Sequence, residues 1–251
     1  MKEELLLGLI FNPMTLNEAA EALISDAQRG LKRSVVTPNV DHVVRAKKDS
    51  LIRAVFNSCQ YHFVDGMPLV WMSRWLCSEK FPERVCGVDL FEKICELSVR
   101  DKIKIYLLGA EESVLKKTIN KLEDDFQGID IVGSFSPPVG FENNAEVNQL
   151  ITEQINSSSA DIVFLALGAP KQEIWMHDYI SFLDRGVLVG VGAAFDLYAG
   201  KYCRAPKWVQ NIGFEWLWRL TLEPRRLWRR YILDDMRILP YFISEVFFNR
   251  K

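Results

Sequence analysis

The sequence predicts an α/β fold, a Rossmann-like and mostly parallel sheet with helices on both faces. Two observations indicate this fold. Apolar, β-branched runs stop abruptly at small polar or turn-forming residues, and a helix-like pattern then begins. This alternation of strand and helix continues to about residue 195, with no internal repeat.

The elements are predicted in chain order. Predicted strands cover residues 5–10, 33–36, 61–64, 104–108, 129–132, 161–167 and 186–191. Predicted helices cover residues 16–29, 41–56 (with a candidate break at 49–50), 68–77, 90–99, 112–126, 145–155 and 171–182, with a short helix within 192–200. Thr15 and Glu18 have capping-box spacing before the first helix, and Gly30 stops it. Loops are predicted at 81–90 and 133–140.

The composition is that of a soluble globular protein, with 251 residues of which 49% are hydrophobic and 25% charged. No apolar run approaches the ~18–20 residues that a membrane-spanning helix needs. The apolar N-terminal stretch lacks a cleavage site and favours a first strand over a signal peptide. Five cysteines without C-x-x-C spacing indicate reduced thiols in a cytosol, and three histidines without H-E-x-x-H give a metal site little support.

The net charge of −2 is unevenly distributed along the chain. Residues 201–251 hold eleven Lys/Arg and five Asp/Glu, whereas residues 1–200 hold twenty and twenty-eight. Four of the seven tryptophans also lie beyond residue 200, interleaved with arginines. Trp and Arg at helical spacing are usually core packing with solvated charges, but this density resembles an interfacial amphipathic segment. We therefore predict a catalytic domain at 1–200 and a helical, membrane-associating appendage at 201–251.

Polar residues at two predicted strand ends indicate a binding crevice. Thr37, Asn39 and Asp65 come after strands, and ligands of open α/β sheets lie at the carboxyl ends of strands. An Asp before a glycine is as often only a turn former. No other residue is as well placed, however, and a carboxylate here can accept a proton from an attacking hydroxyl. His42 and His62 are interpreted as structural, because they lie on a helix and inside a strand.

Two further turns face the same edge. Gly168-Ala169-Pro170-Lys171-Gln172-Glu173 joins an apolar strand to a helix, whose first N–H groups could hold a phosphate. Lys171 adds charge there and Gln172 adds donors. The simpler interpretation is a loop with a proline at the helix start. Gly109-Ala110 is another strand-end turn.

The stretch Gly190-Val191-Gly192-Ala193-Ala194-Phe195 nearly matches a dinucleotide fingerprint. The last glycine is missing and the stretch lies late in the chain, so it is a weak nicotinamide signature. Gly192, Phe195 and Asp196 could instead frame a nucleobase. The chain has no Asp-x-Asp motif, which could hold a divalent metal on the diphosphate of a ligand. Hydrogen-bond donors and cationic side chains of the protein are therefore expected to hold that diphosphate instead.

These stretches, taken in order, resemble one known family. They are Thr37-Pro38-Asn39, Asp65-Gly66, Pro82-Glu83-Arg84-Val85-Cys86-Gly87-Val88-Asp89-Leu90, the turns 168–173 and 190–196, and the tail patterns Arg204-Ala205-Pro206-x-Trp208, Gly213-x-Glu215-Trp216-x-x-Arg219-Leu220 and Glu223-Pro224-x-Arg226. Their combination resembles the WecG/TagA/CpsF glycosyltransferases, glycosyltransferase family 26, over nearly the whole chain.

The resemblance implies an inverting, metal-independent enzyme without a cofactor. Such an enzyme moves an N-acetylmannosamine-type or related sugar from UDP to a polyprenyl-diphosphate-linked saccharide at the cytoplasmic membrane face. Asp65 matches the proposed general base, and Thr37, Asn39, Arg84 and Gln172 match residues around the donor or acceptor diphosphate. The other residues expected at the donor are Gly66, Gly109, Ala110, Gly168, Pro170, Lys171, Glu173, Gly192, Phe195 and Asp196. Those expected at the acceptor diphosphate or membrane are Arg204, Trp208, Trp216, Arg219, Arg225, Arg226 and Arg229.

Two other functions are left open by the sequence. A nicotinamide-dependent oxidoreductase would use a similar sheet, but the glycine pattern is defective. A nucleic-acid-binding protein could use the Trp/Arg tail, but the acidic body argues against it. Self-association through an apolar face beneath the tail is a further option.

Overall fold

Six parallel strands form the central sheet of the computed structural model, which describes residues 2–248 apart from the side chains of Asn211, Arg226 and Phe248. The strands of the described chain are β1 (Glu4–Leu6), β2 (Leu9–Phe11), β3 (Arg33–Val36), β4 (Tyr61–His62), β5 (Lys104–Gly109), β6 (Asp130–Phe135), β7 (Ile162–Ala166) and β8 (Val187–Gly190). The helices are α1 (Leu16–Gln28), α2 (Val40–Lys48), α3 (Ser50–Asn57), α4 (Met67–Leu76), α5 (Gly87–Asp101), α6 (Glu112–Asp125), α7 (Ala145–Ser158), α8 (Lys171–Tyr179), α9 (Ala194–Tyr198), α10 (Lys207–Asn211), α11 (Glu215–Leu222), α12 (Pro224–Trp228) and α13 (Ile238–Phe248).

The strand order in the sheet is β4-β3-β8-β7-β5-β6, with every neighbouring pair parallel. The registers pair Val35 with Tyr61 and with Val189, and Leu165 with Gly190. The carboxyl ends of four adjacent strands, β4, β3, β8 and β7, therefore lie side by side. This is the edge at which the sequence predicts a crevice.

Helices cover both faces of the sheet, as predicted. Residues of α1, α5, α6 and α9 share one core cluster with the strands, and residues of α7 and α8 share another with side chains on the opposite face of those strands. Phe91 of α5 packs its ring against Phe164 and Phe195 at centroid distances of 4.8 and 5.3 Å. Burial on both faces accounts for the continuous apolar runs of these strands.

Local signals set most helix boundaries. The capping box of Thr15 and Glu18 is formed at the start of α1. The predicted helix at 41–56 is divided into α2 and α3, because Asp49 leaves the helical conformation and its carboxylate caps α3. The predicted helix at 171–182 ends at Tyr179 and continues only as a 3-10 turn.

Three further predicted elements differ from the structure. The single strand at 5–10 is a hairpin, because Leu7 and Gly8 turn with φ of +52° and +89°. Residues 133–135, predicted as loop, extend β6 through pairing with β5. The helix predicted at 90–99 is α5, which begins at Gly87, and this earlier start brings Asp89 into its first turn.

Beyond residue 200 the described chain is helical and folds back over the body. This C-terminal segment, residues 201–248, contains α10–α13, with a π-helical turn (Arg229–Asp234) and a 3-10 turn (Asp235–Arg237) between α12 and α13. Ile238 and Phe242 of α13 pack in the core cluster that contains residues of α2 and α4. In the part of the chain that the structure describes, no helix is long and apolar enough to cross a bilayer. The division into two domains at residue 200 stays a prediction, and its last three residues lie outside the described chain.

Candidate active site

A cavity of about 950 Å³ lies at the carboxyl ends of β4, β3, β8 and β7, beneath the C-terminal segment. Its walls come from the turns after these strands and from α4, α11 and α13. This is where open parallel sheets bind their ligands, because the chain segments after adjacent strands diverge there. The residues predicted for the site that line the cavity are Thr37, Asn39, Asp65, Gly66, Arg84, Gly168, Gln172, Gly192, Trp216 and Arg219.

Asp65 is held on this wall by its backbone. Its N–H donates to the carbonyl of Pro38 at 2.9 Å, which joins the turn after β4 to the turn after β3. Gly66 comes next with φ of +125°, and α4 begins immediately after it. Within the described residues, the Asp65 carboxylate accepts no hydrogen bond and forms no ion pair. It lines the cavity, where it can accept a hydrogen bond from a ligand.

The surroundings of Asp65 make its carboxyl group more basic. Burial is the largest effect and raises its pKa above the ordinary value. The guanidinium of Arg84 opposes this effect, and the carboxylate of Glu215 adds to it. Arg219 and His42 act in the same direction as Arg84. The net result is a raised pKa, as a general base requires.

Asn39 and Gln172 use part of their hydrogen-bonding capacity to hold the wall together. The Asn39 side chain caps α2, with Oδ1 accepting the His42 N–H at 3.4 Å. Gln172 Oε1 accepts the Gly192 N–H at 3.0 Å, and Gln172 Nε2 donates to Glu173 Oε1 at 2.8 Å. An amide has two donors and two acceptor lone pairs, so each side chain keeps capacity for a ligand.

Several residues predicted for the donor lie away from the cavity. Phe195 has no exposed surface and belongs to the core, so the structure does not place its ring on the cavity wall. The ammonium group of Lys171 pairs with Glu142, and Asp196 pairs with Lys201 at 3.1 Å. The remaining residues that are absent from the cavity wall are Gly109, Ala110, Pro170 and Glu173.

The presence of glycine at position 109 has a structural explanation that the sequence did not reveal. A Cβ at this position would lie 2.7 Å from the carbonyl oxygen of Ala166, on the neighbouring strand. The close approach of β5 and β7 therefore requires glycine here, and no ligand is needed to explain the residue.

Four charged side chains connect the body to the C-terminal segment. Arg84 pairs with Glu215 through Nη1, and its Nη2 lies 3.4 Å from Asp89 Oδ2. Arg204 pairs with Asp89 at 2.6 Å and lies 3.7 Å from Glu215. Two arginines predicted at a diphosphate thus alternate with two carboxylates. Neither carboxylate was predicted for the site, although both lie within the motifs that carry the family resemblance.

A second charged group on the wall is absent from the sequence predictions. Arg45 Nε donates to Asp41 Oδ2 at 2.8 Å, and Arg230 Nη2 lies 3.5 Å from the same oxygen. Asp235 lies beside them, and burial raises its pKa to about 6. The i, i+4 spacing of Asp41 and Arg45, which follow Asn39 on the same helix, was the sequence signal that could have predicted this ion pair.

The tail residues predicted at the acceptor divide into two groups. Arg219 and Trp216 line the cavity, and Arg219 has no ion-pair partner among the described residues. Trp208 is 67% exposed, and Arg225 is also exposed. The Arg229 guanidinium is exposed and lies over the Trp228 ring at 5.5 Å. The Arg226 side chain lies outside the described residues.

Comparison with known proteins connects this geometry to a chemistry. The model of the glycosyl transferase WecG/TagA/CpsF family matches residues 5–251. The chain is also 32% identical, over 207 residues, to the N-acetylglucosaminyldiphosphoundecaprenol N-acetyl-beta-D-mannosaminyltransferase of Bacillus subtilis (strain 168). The aligned region covers 82% of this chain and 77% of that relative. The family match includes both the body and the C-terminal segment that together enclose the cavity.

Proposed function

The chain belongs to the WecG/TagA/CpsF family of glycosyltransferases, and we propose that it transfers an N-acetylmannosamine-type or related sugar from a UDP donor to a saccharide linked to polyprenyl diphosphate. Its place is in cell-surface polysaccharide biosynthesis. The name of the Bacillus subtilis relative supports the type of sugar and the lipid-linked acceptor. The UDP donor is supported by the resemblance of the strand-end motifs.

One observation carries the proposal: the Asp65 carboxylate, which has no partner among residues 2–248, lies on the wall of a cavity large enough for both substrates. Ligand cavities are typically about 300–1,000 Å³, and this one lies near the upper limit. A nucleotide-sugar together with an acceptor saccharide needs a volume of this order. The turns after β3, β7 and β8 surround the same space with backbone and amide donors.

In the proposed reaction, Asp65 accepts the proton of the acceptor hydroxyl while the hydroxyl oxygen attacks C1 of the sugar. The bond between C1 and the UDP oxygen breaks on the opposite face, so the anomeric centre is inverted. The raised pKa of Asp65 increases its affinity for that proton. Arg219 and Arg230 place positive charge on the wall, where it can stabilise the diphosphates of donor and acceptor. Because these cations can take this role, we propose that turnover does not require a divalent metal.

The direct test replaces Asp65 with Asn and measures UDP release from a UDP-sugar with a short polyprenyl-diphosphate acceptor. Turnover is expected to fall at least about 100-fold, since general bases contribute about 10²–10⁴-fold. UDP affinity should change little, because the amide keeps the size of the side chain. In the native enzyme, kcat/KM should rise with pH through a pKa above the ordinary carboxylate range.

The matched control is Asp124→Asn, the same chemical change at an exposed position of α6. It should leave turnover unchanged. Native-level turnover in Asp65→Asn would remove Asp65 as the base, and the same loss in both variants would mean that the assay does not report on the site.

We further propose that the chain acts as a peripheral protein on the cytoplasmic face of the membrane. The proposed acceptor is anchored in that membrane by its lipid. Exposed aromatic side chains such as Trp208 and Trp228 lie on the basic C-terminal segment, which suits contact with anionic headgroups.

A further inference from the structure

Glu173 is a completely buried carboxylate that the proposed reaction does not use. It lies in the first turn of α8, where the helix dipole favours a negative charge. Its Oε2 atom has no hydrogen-bond partner within the described residues. Burying a carboxylate oxygen without a partner is unfavourable. Packing alone therefore does not explain why a carboxylate stands at position 173.

The other oxygen of Glu173 reaches one side of the cavity wall through Gln172. Oε1 accepts the hydrogen bond from Gln172 Nε2 at 2.8 Å. Because a carboxylate only accepts, this bond fixes which end of the Gln172 amide faces it. The amide oxygen is then directed to the Gly192 N–H, at 3.0 Å. The turn after β8 is thus held by a chain of two hydrogen bonds that starts at Glu173.

The same Oε1 atom reaches the other side of the wall through His42. His42 Nε2 lies 3.5 Å from Glu173 Oε1. His42 Nδ1 accepts the Asn39 backbone N–H at 3.3 Å and lies 2.8 Å from Asn39 Oδ1. Nε2 therefore faces the Glu173 carboxylate, and Nδ1 contacts both the backbone N–H and the side-chain oxygen of Asn39. The ring of Phe56 packs against the imidazole at a centroid distance of 5.1 Å and limits its rotation. His42 is held between Glu173 and Asn39.

We propose that Glu173 is a positioning residue for the nucleotide of the donor. Its carboxylate fixes the Gly192 turn through Gln172. It also contacts the imidazole of His42, which accepts from the Asn39 backbone at the start of α2. One buried group thus aligns wall elements that come after three different strands. The inference rests on the proposed function, because the donor is the ligand that these elements would contact.

The test measures the affinity of the full chain for UDP alone by isothermal titration calorimetry. Glu173→Met keeps the approximate volume and removes both acceptor oxygens, whereas Glu173→Gln keeps one of them. The Kd for UDP is expected to rise at least about tenfold in Glu173→Met. Around metal sites, the loss of a residue that supports a ligating side chain weakens affinity about 10–100-fold. The rise in Glu173→Gln should be smaller, since an acceptor is retained.

Thermal unfolding separates positioning from a purely structural role. In Glu173→Met, the loss of a buried carboxylate oxygen that has no partner among the described residues offsets the cost of leaving Gln172 Nε2 without its acceptor. The melting temperature of Glu173→Met should therefore stay near that of the native chain while the UDP affinity falls. Glu153→Gln is the matched control: it alters an exposed carboxylate on α7 and should leave the Kd unchanged.

Four results are distinguishable. Native UDP affinity in a folded Glu173→Met would overturn the inference, and so would a loss of affinity that only accompanies a fall in melting temperature. If Glu173→Met does not fold, Glu173→Gln decides, and an unchanged Kd in that variant overturns the inference. A native chain that does not bind UDP would count against the proposed function itself.

Discussion

Two adjacent carboxylates of the C-terminal segment, Asp234 and Asp235, have opposite environments. Asp234 lies at the surface, and its hydrogen bond with Lys48, at 2.9 Å, lowers its pKa. Asp235 lines the cavity, where burial raises its pKa to about 6 and Asp41 and Asp234 add to the effect. Asp234 ends the π-helical turn and Asp235 begins the 3-10 turn, so the two neighbouring side chains meet different surroundings.

The raised pKa of Asp235 has a consequence for stability. The folded chain holds this proton more tightly than the unfolded chain, so the associated stability is present at low pH and is lost as the pH rises towards about 6 and beyond. Asp235→Asn should therefore increase the free energy of unfolding at pH 8 and change it little at pH 4. Urea unfolding at both pH values measures this. Asp234→Asn should not stabilise the chain at pH 8, because its lowered pKa acts in the opposite direction; equal stabilisation by both variants would contradict the argument.

At the scale of elements, one glycine controls how the C-terminal segment meets α4. Gly213 has φ of +77°, and a Cβ there would lie 2.7 Å from Met67 Cβ and 3.0 Å from the Trp71 ring. A methyl group would push the start of α11 away from α4. Glu215 and Trp216, two and three residues further along the chain, would leave the cavity wall.

Gly213→Ala should lower turnover in the UDP-release assay and speed up hydrogen exchange in α11. Gly140→Ala is its matched control, because φ is +85° there but nothing lies within 4 Å of the added Cβ. Both variants carry the strain of a left-handed residue, about 1–2 kcal/mol. Only Gly213→Ala adds the steric conflict. If the two variants lose the same activity, the contact with α4 does not matter for the site.

The helix starts show a second effect at this scale. Because α5 begins at Gly87, Asp89 faces Arg204 from the first turn of a helix. Burial alone would raise the pKa of Asp89, but the hydrogen bonds from Arg204 and Cys86 hold it below its ordinary value. The ionised Asp89 is therefore part of what attaches the C-terminal segment to the body.

For the whole molecule, charge and exposed aromatic surface coincide in residues 201–251. This part of the chain has an excess of six positive charges, whereas the remainder has an excess of eight negative charges. The exposed large apolar residues of the C-terminal segment are Trp208, Ile212, Phe214, Trp216, Leu217, Leu222, Trp228, Ile232, Leu233, Met236, Leu239, Ile243 and Phe247. Basic residues near an anionic bilayer contribute about 1 kcal/mol each, and the body is repelled by the same surface. The segment is thus expected to orient the molecule on a membrane.

Vesicle sedimentation tests this expectation. The chain should sediment with phosphatidylglycerol vesicles more than with phosphatidylcholine vesicles, and added salt should reduce the difference. The double variant Trp208→Ala/Trp228→Ala should bind more weakly, because two interfacial rings are lost. Phe182→Ala removes a ring that is 65% exposed on the body, next to α8, and should have no effect. Equal binding of the native chain and both variants to both lipids would exclude this segment as the membrane contact.

The sequence by itself determined where the strands end and which polar residues stand at those ends. Apolar runs that stop at Thr37 or before Asp65 encode a local conformation, and local conformation depends on neighbouring residues. Consecutive strands β3 and β4 pair directly, so the proximity of these two turns could also be predicted. The same reasoning led to the fold class and to the basic, aromatic tail.

Only the tertiary structure decided which distant residues share the cavity. The insertion of β8 between β3 and β7 brings Gly192 and Gln172 next to Asn39, and no local pattern specifies that pairing. The cavity-lining carboxylates Glu215 and Asp235 belong to the C-terminal segment, far from Asp65 in the sequence. Their positions depend on how α4 packs against that segment. A sequence pattern records the period and the turns of each element, but burial and ion pairing arise only when the elements pack together.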